Sequence, residues 1–344
     1  MPRSPLAAAG RDARGCLVVL LPVLVAVTPA AALDPLPEKP GWHGFDMLGV
    51  GIQHLGSSFI SGSTFQEFGE AEIDSLSHGP ETVRNVIPVL RGEIGYRFAG
   101  SRTYLSAGHS LEDLIRYDFT ASIRLIQGLG GEGLLGVELL AGLPVRIWED
   151  PYVTGQEREP SDRELQRARL TWSGIGPGLE IELTAGRTEI GTEHSGEFLG
   201  LTDAERRLLE RDGLVRQVRV SYRIKLSERH RLVPRASFQI QDRDGEAMAH
   251  NVAGVEIDYF FHGEKATVTA TVYAESSRYH EENPIYGKTA DADGLGTSFM
   301  VLLPSWFPGK WSGGFRGAAY RDDSDIGFFD ARFASFALVS ARQW

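Results

Sequence analysis

The sequence has only one cysteine, Cys16, which lies near the amino terminus. A disulfide bond within the chain and a metal site built from cysteines are therefore excluded. Basic residues are also few, with 35 Lys and Arg against 46 Asp and Glu and a net charge of −11. A chain of this charge repels phosphates, which excludes nucleic acid as a partner. The nine histidines have no zinc-ligand spacing, and we expect no metal and no cofactor.

Long apolar runs are missing as well. The apolar segment 16–27 is interrupted by Pro22 and falls short of the ~20 residues of a membrane-spanning helix. It follows a basic segment and precedes three alanines at 30–32, which is typical of a secretory signal peptide, with an amino-terminal anchor as the alternative. We predict a signal peptide at residues 1–32 and one domain at 33–344. No later stretch suggests a spanning helix, so membrane residence would require strands.

Apolar and polar residues alternate along much of the remaining chain. Between residues 217 and 226 every even position is apolar or aromatic, and every odd position is polar or basic. This period of two predicts a strand with one apolar and one polar face. Similar segments occur at 117–125, 179–183 and 255–261. Many of them reach about ten residues, the length that a tilted strand needs to cross a bilayer.

The connections between these segments alternate in length. Short ones are expected at 99–101, 130–132, 176–178, 227–230, 263–264 and 307–309. Longer ones are expected at 61–82, 110–115, 149–162, 192–213, 244–249, 279–291 and 322–328. Short turns at one rim and long loops at the other are typical of outer-membrane barrels. The sequence therefore predicts an all-β, antiparallel transmembrane β-barrel of about 14 strands (12 to 16), with short periplasmic turns and long extracellular loops.

Aromatic residues gather at the ends of the predicted strands. Tyr96, Phe98, Tyr259, Phe261, Trp306 and Trp311 lie near short turns, and Tyr117, Trp148 and Phe328 lie near long loops. Two interfacial girdles would produce this distribution. The chain ends on an aromatic residue, Trp344, as outer-membrane proteins typically do. We therefore expect an outer-membrane location in a Gram-negative bacterium, contact with lipid and lipopolysaccharide, and recognition of the last strand by the barrel-assembly machinery.

The predicted inward faces carry the candidate functional residues. The basic ones are Arg219, Arg223, Lys225, Arg235 and Arg243, and the acidic ones, on the following strands, are Glu256, Asp258 and Glu275. Oppositely charged walls across a wet lumen would select small charged solutes. This favours a passive porin-like channel for anionic or zwitterionic solutes. The alternative is that adjacent strands pair their charges and fill the interior, as Arg167 and Arg169 beside Glu180 and Glu182 would do.

Two other functions stay open. His109-Ser110 and His194-Ser195 lie at the predicted loop rim, where a hydrolase would place its nucleophile, but sequence adjacency is not a catalytic geometry. The loops also contain acidic clusters, without the calcium-loop pattern, that would suit a non-conducting barrel binding a surface ligand. We therefore assign no catalytic residue. Within the loop at 192–213, Thr202 and Glu205 form a capping-box pattern, which predicts one short surface helix.

The loops also carry a family resemblance. The residues that carry it are Trp148-Glu149-Asp150-Pro151-Tyr152, Gly155-Gln156, Asp162-Arg163, Ser195-Gly196-Glu197 and Arg211-Asp212-Gly213. In these motifs the chain resembles an uncharacterised family of Gram-negative outer-membrane proteins, domain of unknown function 2860. The resemblance implies an outer-membrane location and a barrel. It implies no activity, so it assigns no functional residue.

Overall fold

The computed structural model describes residues 36–63, 66–67, 69–113, 118–142, 145–304, 306 and 311–344. The predicted signal peptide at 1–32 lies outside these residues. Almost all regular structure in the described chain is β-strand, with a single α-helical turn, α1 (Asp203–Arg207), and one short 3-10 helix (Gly327–Phe329). No helix within these ranges is long and apolar enough to cross a membrane.

Eighteen strand segments follow one another along the chain. They are β1 (Gly41–Ser57), β2 (Ile60–Ser63), β3 (Gln66–Glu67), β4 (Val83–Arg97), β5 (Thr103–Asp113), β6 (Asp118–Gly128), β7 (Leu134–Gly142), β8 (Val145–Trp148), β9 (Pro160–Ser173), β10 (Leu179–Ile190), β11 (Gly213–Tyr222), β12 (Ile224–Lys225), β13 (His230–Arg243), β14 (His250–His262), β15 (Thr267–Tyr279), β16 (Ala292–Leu303), β17 (Trp311–Ser324) and β18 (Ala331–Gln343). Segments β2 and β3 belong to the first long loop. The pairs β7/β8 and β11/β12 each act as one strand of the wall, because both members pair with β9 and with β13, respectively.

The remaining segments form a closed antiparallel barrel of 14 strands. Each wall strand pairs with its neighbours in sequence, and the last strand, β18, pairs with β1 over thirteen residues from Phe45↔Gln343 to Ser57↔Ala331. This closure removes the free edges that an open sheet would expose to lipid. The predicted fold class and strand number are confirmed.

The alternation of side chains assigns the two faces of the wall. On β7, Val137 and Leu139 are 46% and 61% exposed, whereas the alternating residues Glu138 and Leu140 are buried. Exposed apolar residues continue along the same face on the other strands, including Leu48, Val86, Leu90, Ile123, Val255 and Leu338. An apolar exterior around a polar interior is the arrangement a bilayer requires. The molecule is therefore a barrel of the outer-membrane type.

The turns and loops lie largely where the sequence predicts them. Five of the six short connections follow the predicted positions, and the sixth, 307–309, lies outside the described residues. Helix α1 begins after Thr202, whose hydroxyl accepts from the Glu205 backbone N–H at 3.3 Å while the Glu205 carboxylate accepts from the Thr202 backbone N–H at 2.8 Å. The predicted capping box is confirmed.

Of the two predicted aromatic girdles, the structure shows aromatic contacts at the short-turn rim. Trp42, Tyr96 and Phe98 contact one another edge to face there, and Trp311 lies under the guanidinium of Arg342. At the loop rim the prediction is wrong for Trp148 and Phe328, which are 4% and 1% exposed. Phe328 belongs to a packed core made by the loops, and the Trp148 ring lies against the Arg158 guanidinium. Tyr117 lies outside the described residues.

Candidate functional site: the barrel interior and its loop cap

The long loops pack together into a hydrophobic core of their own. Its buried members are Ile73, Tyr152, Leu209, Ala290, Ile326 and Phe328, with Phe59, Leu76, Leu201, Met248, Tyr279, Ile285, Tyr286 and Phe329 packed against them. These residues come from loops that are rooted all around the rim of the barrel. Loops from opposite sides meet in one core only if they extend across the mouth. We call this assembly the loop cap.

The first long loop reaches over the rim to a wall strand that is not a neighbour of β1. Its segment β2 pairs with β8 through Ile60↔Ile147 and Ser63↔Val145, although the wall strands β4, β5 and β6 separate β1 from the strand β7/β8. Farther along the same loop, the Gly155 backbone N–H donates to the Ile73 carbonyl at 2.9 Å. The first long loop is thus hydrogen-bonded to the connection between β8 and β9.

Buried charged side chains tie the loops of the cap to one another. The Arg158 guanidinium donates to the carbonyls of Ser58 at 3.0 Å, Pro151 at 3.1 Å and Glu70, and it lies 4.5 Å from the centre of the Trp148 ring. Burial lowers the pKa of Arg158 to about 10, so the side chain stays charged at neutral pH. Arg158 therefore joins the first loop to the β8–β9 loop through charge-assisted hydrogen bonds.

Asp150 and Arg211 connect a third loop, which lies between β10 and β11, to the loop between β8 and β9. The Asp150 carboxylate accepts from the backbone N–H groups of Tyr152, Gly196 and Phe198, each at 3.0 Å. The Arg211 guanidinium donates to the Trp148 carbonyl at 2.8 Å and pairs with Glu193 at 2.7 Å. In this structure hydrogen bonds and an ion pair thus join the loops of the cap, in addition to their apolar packing.

Within the barrel, one side of the interior carries a continuous row of ion pairs. It runs over five adjacent strands through Arg124, Glu138, Arg169, Glu182 and Arg219, which we call the charge belt. The successive N–O distances are 2.8, 3.1, 3.5 and 3.2 Å. Basic and acidic groups alternate strictly, so the belt offers no strong local charge to a passing solute.

Four of the predicted pore-lining residues take part in this pairing. Arg219 contacts Glu182 as the end of the charge belt, and Arg235 on β13 pairs with both Glu256 and Asp258 on β14. The sequence predicts the basic and acidic groups on separate walls, with pairing between adjacent strands as the alternative, and for these four residues the structure shows the pairing. The two sets occupy neighbouring strands in antiparallel register, as Arg235↔Glu256 illustrates, so they neutralise each other.

The other four lie at different heights in the barrel. Lys225 is exposed at a short turn, where its ammonium pairs with Glu228 at 2.6 Å. Arg243 lies near the loop cap and donates to the Arg211 carbonyl at 3.2 Å. Glu275 accepts from the Tyr320 hydroxyl at 3.1 Å, and Arg223 lines a cavity at the short-turn end. The structure does not bring these residues together into one patch, and their pore-lining role stays a prediction.

That cavity is a space of about 520 Å³ at the periplasmic end of the interior. The side chains of Arg97, Glu180 and Arg223 line it, together with residues 36–38 of the segment that precedes β1. Leu36 packs against a small apolar cluster of Tyr104, Ile126 and Leu134. The segment before β1 therefore enters the barrel from its short-turn end.

The interior wall opposite the charge belt is apolar and contains one arginine that the sequence reasoning missed. Arg316 on β17 is 4% exposed and lies in register between Met300 on β16 and Ala337 on β18. Both neighbours belong to a cluster with Met47, Val89 and Val339. The charge of another interior arginine, Arg91, acts on Arg316. Among the described residues, no carboxylate contacts Arg316.

The two His-Ser pairs acquire no catalytic geometry in the described residues. The His194 ring faces the Glu149 carboxylate at 3.5 Å, and no described contact joins it to the Ser195 hydroxyl. His109 lies on the outward parity of β5. In the ranges that the structure covers, no group of three or more His, Cys, Asp or Glu side chains is arranged to hold a metal ion.

Several solved outer-membrane proteins are similar to the chain at low sequence identity. No curated protein matches it. Among solved structures, it is similar to the outer membrane channel DcaP of Acinetobacter baumannii (10% identity, 88% of this chain and 98% of that chain, TM-score 0.46). It is also similar to the COG4313 outer membrane channel from Pseudomonas putida F1 (9% identity, 92% of this chain and 100% of that chain, TM-score 0.43). A third similar structure is the Pseudomonas putida toluene transporter TodX (8% identity, 93% of this chain and 94% of that chain, TM-score 0.40).

The family assignment is independent of these structures. The family model described as protein of unknown function (DUF2860) matches residues 41–339, which span the barrel wall from β1 to β18 and every loop of the cap. The chain therefore belongs to this family.

Proposed function

We propose that the barrel is a passive outer-membrane channel for small anionic or zwitterionic solutes, and that Arg316 attracts them. The observation that carries the proposal is the contrast between Arg316, which contacts no described carboxylate, and the ion-paired arginines of the charge belt. A cation held in an apolar wall creates a positive potential that water screens poorly. The anion preference thus rests on this residue and no longer on Arg219, Arg223 and Arg235.

The loop cap adds a condition to this function. A barrel of 14 strands is wide enough for an aqueous path unless loops fold across it, and here they do. We therefore propose that the arrangement in this structure is the closed state of the channel. Passage along the barrel axis then requires at least part of the loop cap to move.

Replacing Arg316 by methionine tests the selectivity. Arg316→Met removes the interior cation and keeps a long apolar side chain beside Met300, so we expect the ratio of anion to cation permeability to fall several-fold. The measurement is the reversal potential under a salt gradient in planar bilayers. The control is Arg321→Met on the same strand, because Arg321 pairs with Asp323 and is exposed. An unchanged reversal potential in Arg316→Met would contradict the role of this residue.

The channel itself has a separate test. Arg158→Met removes hydrogen bonds that hold the loop cap closed, and in that background discrete conductance steps are expected. A folded barrel that stays silent both with the intact cap and in Arg158→Met would overturn the proposed function.

A further inference from the structure

The outer face of the barrel carries several arginines near its loop-side rim. Four of them pair with an acidic residue: Arg187 with Glu189, Arg216 with Asp242, Arg278 with Asp293 and Arg321 with Asp323. Arg332 on β18 differs from them. It is exposed and shares the outward parity of Phe336 and Leu338, and within the part of the chain that the structure describes it makes no hydrogen bond and no ion pair. Its positive charge is therefore not neutralised by these residues.

The strands on both sides of Arg332 bring it no acidic neighbour. Its register partner on β17 is another arginine, Arg321, and like charges directly opposite each other are destabilising. Its partner on β1 is Gly56, which has no side chain. The carboxylate of Asp330, two positions before Arg332, accepts from the Ser324 backbone N–H at 2.9 Å. An anion bound from outside would therefore offset an electrostatic cost of the fold.

Side chains that can donate hydrogen bonds surround Gly56 on this outer face. A Cβ on Gly56 would lie 3.3 Å from the Thr82 hydroxyl, and His54 has the same outward parity on β1. Arg84 on β4 lies opposite His54 and is exposed. The Cα atoms of Arg84 and Arg332 are about 12 Å apart, two strand spacings across and two residues along, so both guanidinium groups can reach one anion. We call these five residues the rim site.

The outer face directly beneath the rim site is apolar. Ala334 lies opposite His54, and Ala319 lies opposite Ala334. The next outward row contains Phe336 and Ile52, which are in register and exposed. A cationic site directly above an apolar band fits a molecule that has a phosphate group and hydrocarbon chains.

The rim site lies at the level of the outer leaflet. β1 ends at Ser57 and β18 begins at Ala331, both on the side of the long loops, which outer-membrane barrels direct to the outside. The outer leaflet there consists of lipopolysaccharide, whose lipid A carries phosphates on a disaccharide above several acyl chains. Guanidinium groups bind phosphate through two parallel hydrogen bonds. The chemistry of the rim site thus matches the lipid of that leaflet.

We propose that the rim site binds a phosphate group of lipid A, with the acyl chains of the same molecule against the apolar band below. Arg332 and Arg84 hold the phosphate from the two sides of β1, and Thr82 and His54 donate to its remaining oxygens. The bound lipid then links β18 to β4 across β1, the strand at which the barrel closes. This site lies outside the wall, so it does not depend on the proposed channel.

The first test is the Kd of the refolded barrel for bisphosphorylated lipid A, measured by native mass spectrometry in detergent. We expect the double variant Arg84→Gln, Arg332→Gln to raise this Kd at least about tenfold, because charge-assisted hydrogen bonds are lost. Arg332→Lys keeps the charge without the paired donors, so its Kd should rise less than that of Arg332→Gln. The control is Arg187→Gln, since Arg187 is exposed on β10 and pairs with Glu189. With folding verified by heat modifiability, an unchanged Kd in the double variant would overturn the rim site.

A comparison of lipids tests which anion the rim site takes. We expect dephosphorylated lipid A and phosphatidylglycerol to bind the wild type at least about tenfold more weakly than bisphosphorylated lipid A. The double variant should no longer distinguish lipid A with and without its phosphates. If dephosphorylated lipid A binds the wild type as tightly, the phosphate contact is wrong. If phosphatidylglycerol binds as tightly as lipid A and is weakened equally in the double variant, the assignment to lipid A is wrong.

Discussion

Arg158→Met is expected to produce the largest change in permeability of any single substitution in the chain. The Arg158 guanidinium is 2% exposed and donates to Ser58, Pro151 and Glu70 carbonyls, so methionine would fill its volume and leave three acceptors unpaired. Hydrogen bonds to charged groups contribute about 1.5–3 kcal/mol each. A loss of about 3 kcal/mol would raise the open fraction of the loop cap about 100-fold.

The readout is single-channel conductance together with protease accessibility of the first long loop. The matched control is Arg206→Met, because Arg206 also lies in the loops but forms exposed ion pairs with Glu197 and Asp203, which contribute little. Wild type and the control are expected to remain mostly closed. If Arg158→Met conducts no more than wild type, while its first loop becomes sensitive to protease, the loop cap is not what blocks the barrel.

The strands of the barrel wall could be predicted from the sequence, because the pattern that identifies a strand lies within the strand itself. A strand between lipid and lumen must alternate apolar and polar residues, so the pattern at 217–226 identifies both the strand and its two faces. The same holds for the short turns, where glycines such as Gly131 and Gly178 adopt a positive φ. The strand at Trp42 was harder to recognise because several glycines interrupt its alternation, and its pairing with β4 and β18 settles its extent.

The loop cap was not predictable, because its contacts join residues far apart in the sequence. Tyr286 donates to the Leu76 carbonyl at 3.1 Å across 210 positions, and nothing periodic marks either residue. Trp148 and Phe328 read as girdle residues because they are aromatic and follow strands. The family motifs were the available signal: Asp150, Gly196 and Arg211, all within them, are the residues that tie the loops together.

The charge arrangement was predictable in part. Parity along β11 and β13 correctly assigned Arg219 and Arg235 to the polar face, but parity says nothing about the register between strands. The register decides whether an arginine side chain lies beside an acidic residue or beside an apolar or basic one. Arg235 meets Glu256 and Asp258, whereas Arg316 meets Met300 and Ala337. The sequence alone therefore could not distinguish the ion-paired Arg219 and Arg235 from Arg316.

Arg169→Leu is expected to cause the largest loss of stability among substitutions in the wall. Arg169 lies at the centre of the charge belt, with Glu138 at 3.1 Å and Glu182 at 3.5 Å, and all three side chains are buried. Leucine would leave two carboxylates near each other in the interior, each retaining one outer arginine. Breaking a buried pair in this way typically lowers the free energy of unfolding by about 3–5 kcal/mol.

The measurement is the urea midpoint of unfolding in detergent, with the heat-modifiability gel as a second probe of the folded barrel. Arg187→Leu serves as the control, because Arg187 pairs with Glu189 at 3.0 Å on the exposed face of β10 and should change stability by less than about 1 kcal/mol. Arg169→Lys should lose less stability than Arg169→Leu, since a cation then stays between the Glu138 and Glu182 carboxylates. Equal midpoints for Arg169→Leu and Arg187→Leu would mean that lumen water hydrates the charge belt fully. The belt would then line an aqueous path, and its alternating charges would give that path no preference for either sign.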